Sequence, residues 1–254
     1  LSNFLFADFK RGTIANTNQN LPPMWRDIYF GIRDANNVIA NVQDIEMDEE
    51  LKTRIIGEAR FLRALHYFNL VRCFGEVPLR TEPIQENEDE GLPVSSIVEI
   101  YRVIIGDLEY AADYCWGRNE SRNNYLNNLG RVTKTAAHAM LAKVYIRIAS
   151  SKRTAQEGVE GNSKYLDFTE SVEYFYQQAK DQCNLALNQP GFQLVSSLDG
   201  WKTIFSPDNG NNPEMIFDVQ GSSIVGQGTA VSNLFSPKDS GLSGTGFGGS
   251  NKLK

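Results

Sequence analysis

The stretch Gly57-Glu58-Ala59-Arg60-Phe61-Leu62-Arg63-Ala64-Leu65-His66-Tyr67-Phe68-Asn69-Leu70-Val71-Arg72-Cys73-Phe74-Gly75-Glu76-Val77-Pro78-Leu79 decides how this chain folds. Counted from about Glu49, the segment carries Ile55, Ala59, Phe61, Leu62, Leu65, Phe68 and Leu70. These apolar residues cover more than one face of a helix, and a helix apolar on several sides is buried on several sides. Residues 49–74 are therefore expected as a central helix. Gly75 stops it and Pro78 forbids its resumption.

Upstream, Trp25, Ile28, Tyr29, Ile32, Ala35, Ile39 and Val42 step by three and four along one stripe. Pro22 and Pro23 stand just before it, where proline is tolerated. Asn36 lies on the same stripe, so its amide needs partners if it is buried. Downstream, Ser96-Ile97-Val98-Glu99 spells a capping box. Ile97, Ile100, Tyr101, Ile104, Leu108, Ala111, Ala112 and Cys115 continue it as a third helix. A fourth runs over roughly 133–149 and a fifth over roughly 168–188, ended by Pro190-Gly191. The aromatic residues on these stripes, Trp25, Tyr29, Phe61, Phe68, Tyr101, Tyr145 and Phe175, are expected in the core.

The helices read as hairpins: first with second, third with fourth, and the fifth awaiting a partner. The odd-numbered ones begin near residues 23, 96 and 168, an interval too long for the roughly 34-residue tetratricopeptide repeat. The expected fold class is mainly α: tetratricopeptide-like stacked helical hairpins with long loops and a small β portion. Phe192–Val195 and Glu214–Val219 look like short strands, and 221–250 is rich in Gly, Ser, Thr and Asn. Residues 1–254 read as one domain, with a helical scaffold over 22–190 and short strands and loops over 191–254.

Composition removes several function classes. With 25 Lys and Arg against 31 Asp and Glu, the net charge is -6, the wrong sign for nucleic acid as main partner. No apolar run reaches the roughly 18 residues of a membrane span. Cys73, Cys115 and Cys183 are odd in number and helix-borne, which reads as buried small hydrophobes. His66 and His138 have no zinc-like spacing and read as hydrogen-bonded core residues, so neither a metal nor a cofactor is expected. Gly244, Gly246 and Gly249 match the letters of a dinucleotide loop but follow no strand, so they count as loop composition. The acidic runs 48–50 and 86–90 read as a helix start and a solvated loop, not as a glycosidase pair. No catalytic residues are expected.

The 57–79 stretch strongly resembles the signature helix of the SusD/RagB family. Trp25 to Ile39, Ile100-Tyr101 with Asp107-Leu108, Gly130-Arg131-Val132-Thr133-Lys134 leading to Tyr145, and Asn212-Pro213-Glu214-Met215-Ile216-Phe217 resemble further family segments in the same order. The resemblance covers about residues 22 to 220. It implies a non-catalytic glycan-binding lipoprotein on the outer face of the outer membrane. Its partners would be a glycan and a SusC-like TonB-dependent transporter. Membrane attachment would run only through a lipidated N-terminal cysteine, which this sequence does not contain. Family members are about twice this length, so both ends are expected to be cut.

Sugar rings stack on exposed aromatic faces while amides and carboxylates take the hydroxyls. Loop residues of those types are Phe4, Phe6, Phe9, Asn16, Asn18 and Asn20 before the first helix, and Asn233, Phe235, Asp239 and Phe247 late in the chain. The resemblance places the family's glycan contacts in such loops. Trp116 and Trp201, at element ends, rank behind them. Two rival readings stay open: a helical-repeat protein–protein adaptor without a sugar site, and a helical glycoside hydrolase.

Overall fold

A computed structural model describes residues 18, 21–84, 91–124, 128–204 and 209–220, with the short pieces 241–242 and 251–252. The chain forms two compact units. One is Trp25–Asp218; the other joins Leu1–Met24 to Val219–Lys254. In the second, strands β3 (Gly241–Leu242) and β4 (Asn251–Lys252) pair antiparallel.

The first unit holds the helical scaffold. Helix α1 spans Leu21–Asn41, with both prolines in its first turn, and buries Ile32, Ala35, Asn36 and Ile39. Helix α2 is Glu49–Phe74, the bounds expected from its apolar pattern. The Asp48 carboxylate caps it by accepting from the Leu51 N–H at 2.9 Å. Gly75 closes it at φ +73°, where a side chain would be strained, and donates to the Val71 carbonyl at 3.1 Å. Phe61, Tyr67, Phe68 and Leu70 are all buried, so α2 is central as its pattern requires; Leu62 is the exception, at 39% exposure.

Strands β1 (Val77–Pro78) and β2 (Val94–Ser95) form an antiparallel pair. Helix α3, Ile97–Tyr114, opens with both halves of the expected capping box in place. Helix α4 is Lys134–Gln156, capped by Thr133. A 3-10 stretch, Glu160–Asp167, leads to helix α5, Val172–Leu187, and the short helix α6 follows at Leu198–Thr203. Among the described residues, no helix is long and apolar enough to cross a membrane.

Packing differs from the expected pairing. Helix α5 does not await a partner: it lies along α4, the most extensive helix contact in the unit. Next come α2 on α3, then α3 on α4. Helices α2 to α5 thus stack in series. Tyr101, Tyr165, Phe168 and Phe175 tie α3, the 3-10 stretch and α5 together, with ring centroids 5.3 to 6.2 Å apart. Lys152 is buried beneath them and donates to the carbonyls of Phe168 and Glu170.

Two expected strands are not there. Residues 192–195 and 214–219 are irregular, joined by one backbone bond from the Gln193 N–H to the Pro213 carbonyl at 3.1 Å. Their apolar residues serve other contacts: Phe217 lies edge-on to Phe61, at 5.2 Å, and Phe192 lies under the Arg118 guanidinium. Short apolar clusters do not by themselves distinguish a strand from a loop lying on a helix. Of the cysteines, only Cys115 is buried, at the end of α3; Cys73 is exposed and Cys183 half-buried. Neither histidine is a fully buried core residue. His138 bonds Gln182 at 2.8 Å, and burial lowers the pKa of His66. A Cβ on Gly31 of α1 would lie 2.2 Å from the His66 ring. Glycine is what lets α1 approach α2 at this point.

Candidate functional site

A groove of about 450 Å³ runs along α1. Helix α1 supplies one wall with Trp25, Tyr29, Phe30, Ile32, Arg33 and Asn36. The opposite wall is Pro78, Arg80, Glu82 and Ile84, with Leu92 beyond. These are alternate positions of a segment that is irregular after Pro78 and bends at Glu82. Only its first residue belongs to a strand.

No neighbouring strand holds this second wall over residues 79–84; side chains do. The Tyr29 hydroxyl donates to the Pro78 carbonyl at 2.7 Å. Tyr67 of α2 grips residue 80 twice: its hydroxyl donates to the Arg80 carbonyl at 2.8 Å and accepts from the Arg80 N–H at 2.7 Å. Asn36 donates its amide to the carbonyls of Arg80 and Glu82 at 3.1 and 3.2 Å. Arg63 donates to the Thr81 carbonyl at 2.7 Å and to the Asn36 side-chain oxygen at 2.9 Å. The partners demanded by a buried Asn36 are therefore found, in the groove wall and on α2.

Behind Arg63 stands Asp107 of α3, buried, in a two-pronged ion pair with 2.7 Å on each prong. Burial raises the Asp107 carboxyl above the ordinary carboxylate value, against the opposing pull of Arg63 and the more distant Arg60. Burial pushes the Tyr67 phenol up to about 12. Tyr29 is raised further, by burial and by the nearby Tyr67. Both phenols are therefore neutral near pH 7 and able to donate.

The aromatic lining has free and covered faces. Trp25 packs against Tyr29 and edge-on to Phe74, each at 5.0 Å. Both Trp25 and Tyr29, expected in the core, are only partly buried and form the groove floor. Phe30 is 47% exposed, with the Arg33 guanidinium 4.9 Å from its ring centre. The groove combines a large apolar lining with guanidinium donors and the carboxylate of Glu82. Those groups suit a ligand with apolar faces and hydroxyl edges.

Most of the loop residues expected to meet sugar, Phe4, Phe6, Phe9, Asn16, Asn20, Asn233, Phe235, Asp239 and Phe247, lie outside the described residues. Asn18 is buried, and its carbonyl accepts from the Leu21 N–H at 3.3 Å. Trp201 is exposed on α6, whereas Trp116 is held between the guanidiniums of Arg54 and Arg122. Arg80, Glu82 and Ile84 were not anticipated. No local pattern marked them: Arg80-Thr81-Glu82 is a polar run between Leu79 and Pro83, without alternation.

A family profile described as "Starch-binding associating with outer membrane", SusD-like, matches residues 2–146, more than half of the chain. The chain belongs to the SusD-like family. A SusD-like protein of Bacteroides ovatus is 27% identical over 220 residues, covering 85% of this chain and 35% of the relative. The chain thus spans about a third of that relative's length. A laminarin-binding SusD-like protein of known structure superimposes with a TM-score of 0.59 at 28% identity, over 78% of this chain and 37% of that one. A structure determined with xylogluco-oligosaccharide gives a TM-score of 0.65 at 25% identity, over 83% and 37%.

Proposed function

We propose that this protein captures an oligosaccharide at the outer surface of the outer membrane and hands it to a SusC-like TonB-dependent transporter, breaking no bond. Membership of the SusD-like family supports the reading, as do relatives of known structure described with laminarin and with xylogluco-oligosaccharide. The observation that carries it for this chain is the α1 groove, where aromatic floor and polar rim lie together. Glu82 is its one carboxylate among the described residues, and hydrolysis of a glycosidic bond requires two. Phe4, Phe6, Phe9, Asn20, Asn233, Phe235, Asp239 and Phe247 are proposed as further sugar contacts; Asn18, being buried, is not. A lipid anchor in the longer protein would hold it at the membrane.

Titration calorimetry against laminarin, xyloglucan and starch oligosaccharides tests this. Heat with at least one glycan, and no new reducing ends on incubation, is expected. Released reducing ends would replace the reading with a hydrolase. The adaptor alternative draws on one observation: Leu187, Leu194, Leu198 and Trp201 are 56 to 69% exposed around the end of α5 and on α6. Silence with every glycan, alongside tight peptide binding, would favour it.

A further inference from the structure

Arg80 and Glu82, the polar residues of the wall opposite α1, sit two apart on an irregular segment whose main chain is held by side chains of α1 and α2. Pro78, Arg80, Glu82 and Ile84 line the groove, while the half-buried Tyr29 and the buried Asn36, Arg63 and Tyr67 hold the carbonyls of Pro78, Arg80, Thr81 and Glu82 and the Arg80 N–H. Two of those fasteners, Tyr67 and Arg63, do not line the groove. We propose that Arg80 and Glu82 determine which oligosaccharide the groove accepts, and that Tyr67 and Arg63 are positioning residues that keep them in register.

The inference rests on the groove being a sugar site and goes beyond it in naming a ligand class. Residues 80 and 82 both line the groove, with one residue between them. One offers only donors and the other, ionised, only acceptors. A sugar chain of uncharged units presents hydroxyls that serve both. A chain of uronic acids presents carboxylates along its length, which Arg33 and Arg80 attract and Glu82 repels. Glu82 is assigned as the residue that tips the groove toward uncharged oligosaccharides.

Tyr67 acts through Arg80 alone on this wall, and replacing it with phenylalanine removes both bonds while the ring stays in the core. The test measures binding of laminarin, xyloglucan and galacturonic acid oligosaccharides, alongside amide hydrogen exchange without ligand. For Tyr67→Phe, exchange at the Arg80 amide should quicken and affinity for an uncharged probe should fall about 3- to 10-fold. Glu82→Arg should swing the ratio of uncharged to galacturonic binding by about tenfold or more toward the acid. A ratio unmoved by Glu82→Arg overturns the specificity role. Exchange and affinity both unmoved in Tyr67→Phe and Arg63→Lys overturn the positioning role, whatever the melting temperature does. If the unmodified protein binds no sugar, the glycan reading falls, and the exchange at Arg80 still decides the register claim.

Discussion

The two walls of the groove are built by opposite means. The α1 wall is regular: its backbone bonds are internal to the helix, and its apolar stripe fixes which residues face inward. The wall from Pro78 to Ile84 has almost no internal bonding and borrows its order from Tyr29, Asn36, Arg63 and Tyr67. A helix wall can be read from local periodicity. A borrowed wall depends on residues up to 49 positions away, and it should fail when those residues change, with its own sequence untouched.

The strongest way to break the comparison is Asp107→Ala. It leaves Arg63 buried without its ion partner, which costs about 3–5 kcal/mol. Thermal or urea unfolding should show both walls lost together. If the cost is under 1 kcal/mol, Arg63 is not anchored from behind. A smaller effect is expected from Gly31→Val in α1, whose side chain would push on the His66 ring, at about 1–3 kcal/mol. Combining it with His66→Ala should recover part of the loss. A double-mutant cycle showing no coupling would mean that α1 simply shifts away.

Alkaline titration separates the walls further. Burial raises Tyr29 and Tyr67 in the folded state above the usual tyrosine value near 10. The stability this lends is complete below pH 10 and drains as pH rises through 10 toward 12, because the unfolded chain releases those protons first. Deprotonated Tyr67 also loses its donation to the Arg80 carbonyl. Stability measured from pH 8 to 12 should be flat and then fall, and Tyr67→Phe should make the fall shallower. The mildest change is Ser96→Ala, which removes the α3 cap without touching a side chain that lines the groove. It should cost about 1 kcal/mol with sugar affinity unaltered.

Legibility followed the same division. The bounds of α2 were readable because its apolar residues, its glycine stop and its following proline are all local. The α3 capping box was readable for the same reason, being four adjacent residues. Asn36 showed a need for partners but not who they were, since Arg63, Arg80 and Glu82 reach it only after folding. Asp48 was read as one of three acids at a helix start, and its part as the cap needed the geometry. The packing of α5 on α4 was missed because stripes announce that a face is buried, not against what. Trp25 and Tyr29 sat on a core stripe, yet that stripe is partly open where the second wall stands off from the helix.

The fastening of the second wall has a consequence for how this protein can change. Every amino acid carries a carbonyl, so tethers that end on carbonyls tolerate substitution at the residue they hold. Positions 80, 82 and 84 form a cassette that can be rewritten while its mounting stays fixed. Laboratory libraries confined to those three codons should retain folding in most members, giving a route to new sugar preferences on an unchanged scaffold.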